Sequence, residues 1–467
     1  MNVITKIKSN KLIQSSLVYS IGIMLIRGIN FITFPIFSRM LSTSDFGIST
    51  IYATWIGFIT IFGSLQLNAC IATARVDFDG DKYKKLLNTI TSFITITFSI
   101  LLIMSIMFKD TLGSYMDIDS NFVVLMTVQS FFGAITSIYT TNLMQQKQDK
   151  KYLKVSLCTT AANIIISMFL VTIMEDNRYV GKILGGAIAT VIFGVIFYLK
   201  LIGKRFSIDK ECLSYALKLS LPIVPHILSH QLLSKVGTLI LNETHGSEVV
   251  GIYNFAFNIG LMIQMLWSGI NSAWVPWLFD HLKEGKDRDI AKASKVYIAF
   301  FTLITVGIIM TIPEIAYILA PKEYWEGIYI IPLIVLSYYF VFLYSFPVNL
   351  EFYHKDTKYI PIGTVGSAII NIILSLIFVP RYGLLAAASA TLISYVALFI
   401  FHYIVATKLM NQKDVNTRYY LIGIAVVSVT MIGFYLVQNQ ILVRYGVIGV
   451  MGLGVVAFRN KIVEAFK

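Results

Sequence analysis

The chain has 467 residues, of which 56% are hydrophobic and only 13% charged, with a mean hydropathy of +0.73. Soluble domains carry about 25% charged residues, so the composition excludes a soluble enzyme or scaffold and indicates a polytopic membrane protein. The formal net charge of +13 would suit a nucleic-acid binder, but the basic residues sit in short loops between apolar stretches, and no nucleic acid is expected as a partner.

A helix needs about 20 apolar residues to cross hydrocarbon. In chain order, stretches of this kind run over roughly 13–38, 45–67, 86–108, 119–143, 153–175, 180–201, 212–241, 249–280, 290–312, 327–350, 359–380, 383–408, 417–437 and 441–458. Only helices and closed barrels satisfy their backbone in lipid. These stretches are too long and too uniformly apolar for barrel strands, so the expected fold class is all-α with about 14 transmembrane helices. If the spans alternate, 29 of the 38 Lys and Arg fall on the side of both termini and 7 on the other, with Arg27 and Lys235 inside spans. That bias puts both termini in the cytoplasm. The lysines before the first apolar run imitate a signal peptide, but no small-residue cleavage site follows and the run continues past Arg27 to Pro35. It reads as an uncleaved first span. Cys70, Cys158 and Cys212 have no metal-ligand spacing, which argues against zinc and structural disulfides. No loop has room for a soluble catalytic domain and no Walker-type phosphate loop is present; no cofactor is expected.

A weak internal repeat divides the chain. Asp45-Phe46-Gly47-Ile48 follows the first span and Glu248-Val249-Val250-Gly251-Ile252 follows the seventh, with the Gly-Ile pairs 204 residues apart. Each pair comes one helix after a buried cation. The expected organisation is a six-helix lobe at 1–206, a second at 207–410 and an additional helix pair at 411–467. Transporters built on repeats place their site between them.

Charge inside a bilayer is costly enough to mark function. In the first span Ser16, Ser20, Arg27, Asn30 and Ser38 share one helical face; the competing reading is that Arg27 only fixes helix packing. In the seventh, Gln231, Ser234, Lys235, Thr238 and Asn242 repeat the pattern, and Pro222 and Pro225 are expected to bend the start of the helix. His226 and His230, on another face, are either a proton-sensitive pair or hydrogen-bonded interior residues. In the eighth, Asn254, Asn258 and Asn271 either line a cavity or hold helices together. Trp267, Trp274 and Trp277 read as an interfacial belt. Arg75 faces the cytoplasmic mouth of a cavity or is an ordinary positive-inside residue. No Asp or Glu lies near the middle of a span; Asp280, Glu351 and Glu243 are at ends. A cation exporter usually needs an intramembrane carboxylate. Buried Arg and Lys instead suit an anion, phosphate above all.

The run Phe34-Pro35-Ile36-Phe37-Ser38-Arg39-Met40-Leu41-Ser42-Thr43-Ser44-Asp45-Phe46-Gly47 resembles the first-helix signature of polysaccharide flippases, the Wzx-like members of the multidrug/oligosaccharidyl-lipid/polysaccharide exporter superfamily. Gly63-Ser64-Leu65-Gln66-Leu67-Asn68 through Arg75, Leu221-Pro222-Ile223-Val224-Pro225 and Val250-Gly251-Ile252-Tyr253 are similar to later parts of the same pattern. The resemblance implies a MATE-like fold of two six-helix lobes around a cleft, working by alternating access in the bacterial cytoplasmic membrane. It implies an undecaprenyl-diphosphate-linked oligosaccharide as substrate for surface polysaccharide such as O-antigen or capsule. Membrane lipids and polymerase or other assembly proteins would be its partners. Arg27 and Lys235, with Arg75 behind them, match the family's cleft cations. The last helix pair departs from the twelve-helix pattern and is seen in lipid II flippase relatives. The rival readings are a cation-coupled drug antiporter of the same fold and a membrane polysaccharide polymerase or ligase. Missing carboxylates count against the first, and short outer loops against the second.

Overall fold

The computed structural model describes residues 29, 33–203, 205–409 and 417–452, and these are helical apart from short connections. Among them 11 helices are long and apolar enough to cross a membrane. Most of the first expected span lies outside the described residues, and Arg27 and Asn30 with it. The chain divides into two compact units, Met1–Gln231 with Gly246–Gly251, and Leu232–His245 with Ile252–Lys467.

The first unit contains α1 (Thr43–Ser64), α2 (Ile71–Asp77), α3 (Gly80–Met107), α4 (Lys109–Met116), α5 (Ser120–Gln145), α6 (Asp149–Ile173), α7 (Arg178–Ile202) and α8 (Lys210–Ser220). Ser42 starts α1 as a reciprocal cap: its Oγ accepts from the Asp45 N–H at 3.0 Å and donates to Asp45 Oδ2 at 2.8 Å, satisfying donors the first turn leaves open. The core is a cluster around Leu67, Ile71, Leu86, Ile90, Ile135 and Cys212, all fully buried. Cys212 lies on α8, an amphipathic helix fastened at its start rather than a simple lead into the next span. Asp209 caps α8 by accepting from the Cys212 N–H at 2.9 Å and pairs with Lys85 at 2.6 Å. The Lys85 ammonium holds the Asp209 carboxyl well below the usual carboxylate range. Burial pushes the Cys70 thiol, against the same cluster, up to about 12.

After α8 a 3-10 turn at Leu221–Ile223, begun by Pro222, leads into α9 (Val224–His245); the two prolines do break the helix, as their lack of a donor requires. The first turn of α10 (Ser247–Lys283) returns to the first unit. A Cβ on Gly251 would lie 2.0 Å from the Thr43 carbonyl oxygen, and one on Gly47 would lie 1.8 Å from that of Ser247. Ser44 and Ser247 share a hydroxyl hydrogen bond at 2.8 Å. The two Gly-Ile segments of the repeat thus cross each other, and the contact is reciprocal: each glycine meets the carbonyl four residues before the other. Backbones approach this closely only where side chains are small.

The second unit continues with α11 (Asp287–Met310), α12 (Ile312–Leu319), α13 (Ile331–Tyr353), α14 (Tyr359–Ile404) and α15 (Thr417–Val437), then a shorter apolar helix α16 (Ile441–Gly452). Helix α14 is two helices in sequence, broken at Gly383 with φ 51° and ψ −129°, a conformation that only glycine adopts without strain. This break separates the expected spans 359–380 and 383–408. Helix α13 is buried almost throughout. Trp274 is not part of a belt. It is 5% exposed, with ring centroids 5.1 Å from Tyr297 and 5.6 Å from Phe346. Asn349 donates to Asn271 Oδ1 at 3.3 Å, so this asparagine joins helices.

Arg444 fastens α16. Its guanidinium donates to both Glu314 oxygens, at 2.7 and 2.6 Å, and to the Met310 carbonyl at 2.6 Å. The Arg444 fork holds the Glu314 carboxyl below its usual value. A depressed carboxyl stabilises above its unfolded pKa, about 4.3, and the contribution is lost as pH falls through the lowered folded value. Arg444→Ala is expected to destabilise by about 1–3 kcal/mol at neutral pH, and the gap to wild type is expected to shrink in strong acid. Thermal unfolding in detergent at both pH values checks this, and equal melting at neutral pH would sink it. Gly251→Ala is likewise expected to lower stability by about 1–3 kcal/mol through overpacking. Gly433→Ala, where a Cβ meets nothing within 4 Å, serves as the control that should not.

Candidate functional site

Lys235 lies near the middle of α9, half-buried, with its Nζ 5.5 Å from the centre of the Phe257 ring. Phe257 packs with Tyr253 at 5.9 Å and Tyr338 at 5.7 Å, and Tyr338 with Tyr395 at 6.3 Å. The ammonium therefore stands at the edge of an aromatic cluster. No carboxylate among the described residues comes within 4.0 Å of it. An aromatic face offsets part of the desolvation of a cation without occupying its N–H donors.

The first unit holds a cation of the same kind that the sequence pattern does not single out. By position at the start of its span Lys182 counts with the 7 basic residues opposite the termini, but it sits in the second turn of α7, half-buried. Its Nζ is 3.8 Å from the Phe46 ring centre and 5.5 Å from that of Phe37, and it donates to Ser49 Oγ at 2.9 Å. Here too no carboxylate among the described residues reaches ion-pair distance.

Lys182 heads a polar track. Residues 182, 186 and 190 share one face of α7. At Gly186 two amides converge: a Cβ there would lie 3.3 Å from Asn163 Nδ2 and 3.6 Å from Gln129 Nε2, and Tyr52 donates to Gln129 Oε1 at 2.8 Å. At Thr190 the track meets a cavity of about 340 Å³ lined by Thr136, Thr159, Thr160, Asn163, Thr190 and Phe193, among others. A cation thus leads, one turn at a time, into amides and hydroxyls. The spacing Lys182-Gly186-Thr190 was legible; what hid it was the position of Lys182 so near the start of its span.

The remaining predicted residues are distributed as follows. Gln231 packs on α1, where Gly57 makes room: a Cβ on Gly57 would lie 2.3 Å from Gln231 Nε2. Ser234 and Asn254 are half-buried, and Thr238 and Asn242 buried. Asn258 donates to the Asn254 carbonyl at 2.7 Å, which ties its amide to its own helix. Arg75 is exposed in the last turn of α2. Arg27 and Asn30 are outside the described residues, so the structure does not bring them together with the rest.

The family model for polysaccharide biosynthesis proteins matches residues 12–282. The chain belongs to this family. Relatives in Haemophilus influenzae include an uncharacterized membrane protein, 22% identical over 77% of this chain and 88% of its own length. A protein of the Lsg locus is 23% identical over 78% of this chain and 90% of its own length. Among solved structures, the lipid II flippase MurJ in an inward closed conformation is similar with a TM-score of 0.73 and 15% identity, over 96% of this chain and all of that one. An inward-facing multidrug resistance MATE transporter of the MOP superfamily is similar with a TM-score of 0.65 and 15% identity, over 84% of this chain and 96% of its own. At these identities the likeness establishes the fold: this family member has a MurJ- and MATE-like helical architecture and crosses the membrane many times.

A lysine kept in a helix bundle for structure would be missed when removed. One kept for a ligand is a burden on the fold, because its desolvation is offset only in part. Lys182→Met and Lys235→Met are therefore expected to melt at or above the wild-type temperature. A fall of several degrees in both variants would show the lysines to be structural.

Proposed function

We propose that this protein translocates lipid-diphosphate-linked oligosaccharides from the inner to the outer leaflet of the bacterial cytoplasmic membrane, by alternating access of two six-helix lobes. The single observation that carries the reading is the polar track of α7, in which Lys182, with no carboxylate at ion-pair distance among the described residues, opens onto amides and hydroxyls. A sugar chain joined to a diphosphate has this order of chemistry: two phosphates that need cations, then hydroxyls that need hydrogen-bonding groups. Lys235 supplies a second such cation in the other unit. Membership of a polysaccharide biosynthesis family and a fold shared with a lipid II flippase support the same class of cargo, and undecaprenyl diphosphate is the expected carrier.

In this reading the ammonium groups replace the hydration that the diphosphate loses, by charge-assisted hydrogen bonds. Asn163, Gln129 and the threonines take the sugars, and the polyprenyl tail stays in lipid. Arg27 and Arg75 are proposed as further phosphate contacts along the route, with Asn30, Gln231, Ser234, Thr238, Asn242, Asn254 and Asn258 as polar lining. The lobes run over 1–206 and 207–410, and the pair at 411–467 is an addition to them. Nothing in this scheme breaks a covalent bond, so the role is transport rather than catalysis. An inside-negative potential favours outward movement of an anion by about 2.3 kcal/mol per charge per 100 mV.

The test is flipping of a fluorescent polyprenyl-diphosphate oligosaccharide in proteoliposomes. Wild type is expected to move it, and Lys182→Met and Lys235→Met are expected to lose at least tenfold in rate, as for loss of a charge-assisted contact of about 1.4 kcal/mol or more. Setting the potential to zero is expected to slow wild type. If wild type moves no lipid but exports a cationic dye against a sodium or proton gradient, the antiporter reading replaces this one.

A further inference from the structure

The residues of α8 and of the turn after it fall on four stripes of helical spacing, and the fold uses two of them. Cys212, Ala216 and Ser220 are buried, the first two within the core of the first unit. Glu211 and Tyr215 reach α3 and α2: Glu211 pairs with Lys82 at 2.6 Å, and the Tyr215 hydroxyl donates to Asp77 Oδ2 at 2.7 Å. The other two stripes are Leu213-Leu217-Leu221 and Lys210-Ser214-Lys218. With Pro222 they line an open groove of about 710 Å³. Apolar surface continues on either side of the helix, where Phe206, Ile208 and Ile223 are exposed.

The charges of this segment are unevenly engaged. Asp209 and Glu211 flank Lys210 in sequence, but Lys85 and Lys82 of α3 hold them, each at 2.6 Å. Lys210 and Lys218 are exposed, and among the described residues no carboxylate comes within 4.0 Å of either. The acids are taken up by the fold, and the lysines of the groove are not.

Neither bulk phase suits such a face. In water the leucines and their apolar neighbours would lie uncovered, at a cost that grows with area. In hydrocarbon two ammonium groups would be stranded. The boundary between headgroups and acyl chains satisfies both, because lysine heads reach phosphates while their stems lie on apolar surface. The spacing narrows the ligand further. Lys210 and Lys218 are each one turn from Ser214, about 6 Å along the axis, so two flexible ammonium groups can close on a single phosphate over the serine hydroxyl. A zwitterionic lipid would bring its own cation to a face with no carboxylate to receive it. A soluble phosphate would use the lysines and leave the leucines bare.

We propose that the outer face of α8 binds an anionic glycerophospholipid, its phosphate held at Ser214 by Lys210 and Lys218 and an acyl chain laid along Leu213, Leu217 and Leu221. The groove ends at Pro222, so the lipid fastens α8 to the bilayer just before the proline break that leads into α9. The loop charges expected from the sequence give it the cytoplasmic leaflet. The site stands apart from the transport reading: none of its residues belongs to the track of α7, and it needs no cargo.

The test titrates phosphatidylglycerol and phosphatidylcholine onto the full chain in detergent, with bound lipid counted by native mass spectrometry. Wild type is expected to prefer phosphatidylglycerol. Lys210→Gln and Lys218→Gln are each expected to weaken that binding about fivefold, as for one lysine at an anionic surface, and the double variant more than about tenfold. Lys84→Gln, which removes a lysine paired with Asp81 on α3, is expected to change nothing. All of these positions are exposed, so the fold is expected to survive. Depth is read in vesicles. Leu221→Trp is expected to add fluorescence that phosphatidylglycerol with brominated chains quenches, and the quenching is expected to vanish when Lys210 and Lys218 are both changed to Gln. Equal affinity for the two lipids, or a double variant that binds phosphatidylglycerol like wild type, would overturn the proposal. So would release of the lipid by excess inorganic phosphate, which would show an anion site with no use for the leucines. An unquenched Leu221→Trp would overturn it as well, by showing that something other than lipid covers this face.

Discussion

Hydrocarbon offers no hydrogen bonds, so every polar group within the membrane must find its partner inside the protein. The rest of this structure follows from that demand. Backbone groups meet it by becoming helix. Hydroxyls meet it by bonding one turn back, as Thr54, Thr91, Thr190 and Thr391 do. Charged groups have fewer ways to comply, and the chain treats them in two distinct manners. Arg444 with Glu314, and His402 with Glu351, are closed pairs in which each charge is matched. Lys182 and Lys235 are open: an aromatic face and, for Lys182, one hydroxyl, but no carboxylate among the described residues. The contrast within one molecule is more telling than either lysine alone, since carboxylates are plainly tolerated in its interior.

Close backbone approach is the second organising device. The reciprocal contact of Gly47 and Gly251 joins two segments that are 204 residues apart and similar in sequence. Because each glycine faces the carbonyl one turn before the other, the contact is self-complementary. The Gly383 break works in the opposite sense. It ends one helix and starts another without a loop.

The helical, many-span character was readable because composition and span length are set by the bilayer, not by tertiary detail. The proline break at 222 was readable for the same local reason, since proline lacks a donor; the spans 359–380 and 383–408 were separated without reference to Gly383, whose positive φ the structure supplies. What the sequence could not supply was depth. Lys182 is four residues from a helix start and Glu351 two from a helix end, and hydropathy assigns such positions to the interface. Whether they are wet depends on which neighbouring helix passes over them. Trp274 fails for the same reason: near the end of a long helix it has the address of a belt residue, yet Tyr297 and Phe346 enclose it. Of the candidate site, Lys235 was found from its own span because a lysine in the middle of twenty apolar residues has no interfacial alternative. The track on α7 was not, because its threonines and glycine are common in membrane helices and acquire meaning only beside Gln129, Asn163 and Lys182.

The proposed substrate, which carries its own negative charge, would account for the two manners coexisting. If Lys182 and Lys235 had permanent carboxylate partners, an arriving diphosphate would have to displace them, and the gain from each new contact would be spent on breaking an old one. Aromatic rings avoid that competition, for they ease the burial of the ammonium and ask for none of its hydrogens. The Glu351–His402 pair has the reverse arrangement: its carboxylate and imidazole are matched to each other, 2.6 Å apart. Among the described residues neither open lysine shares that carboxylate.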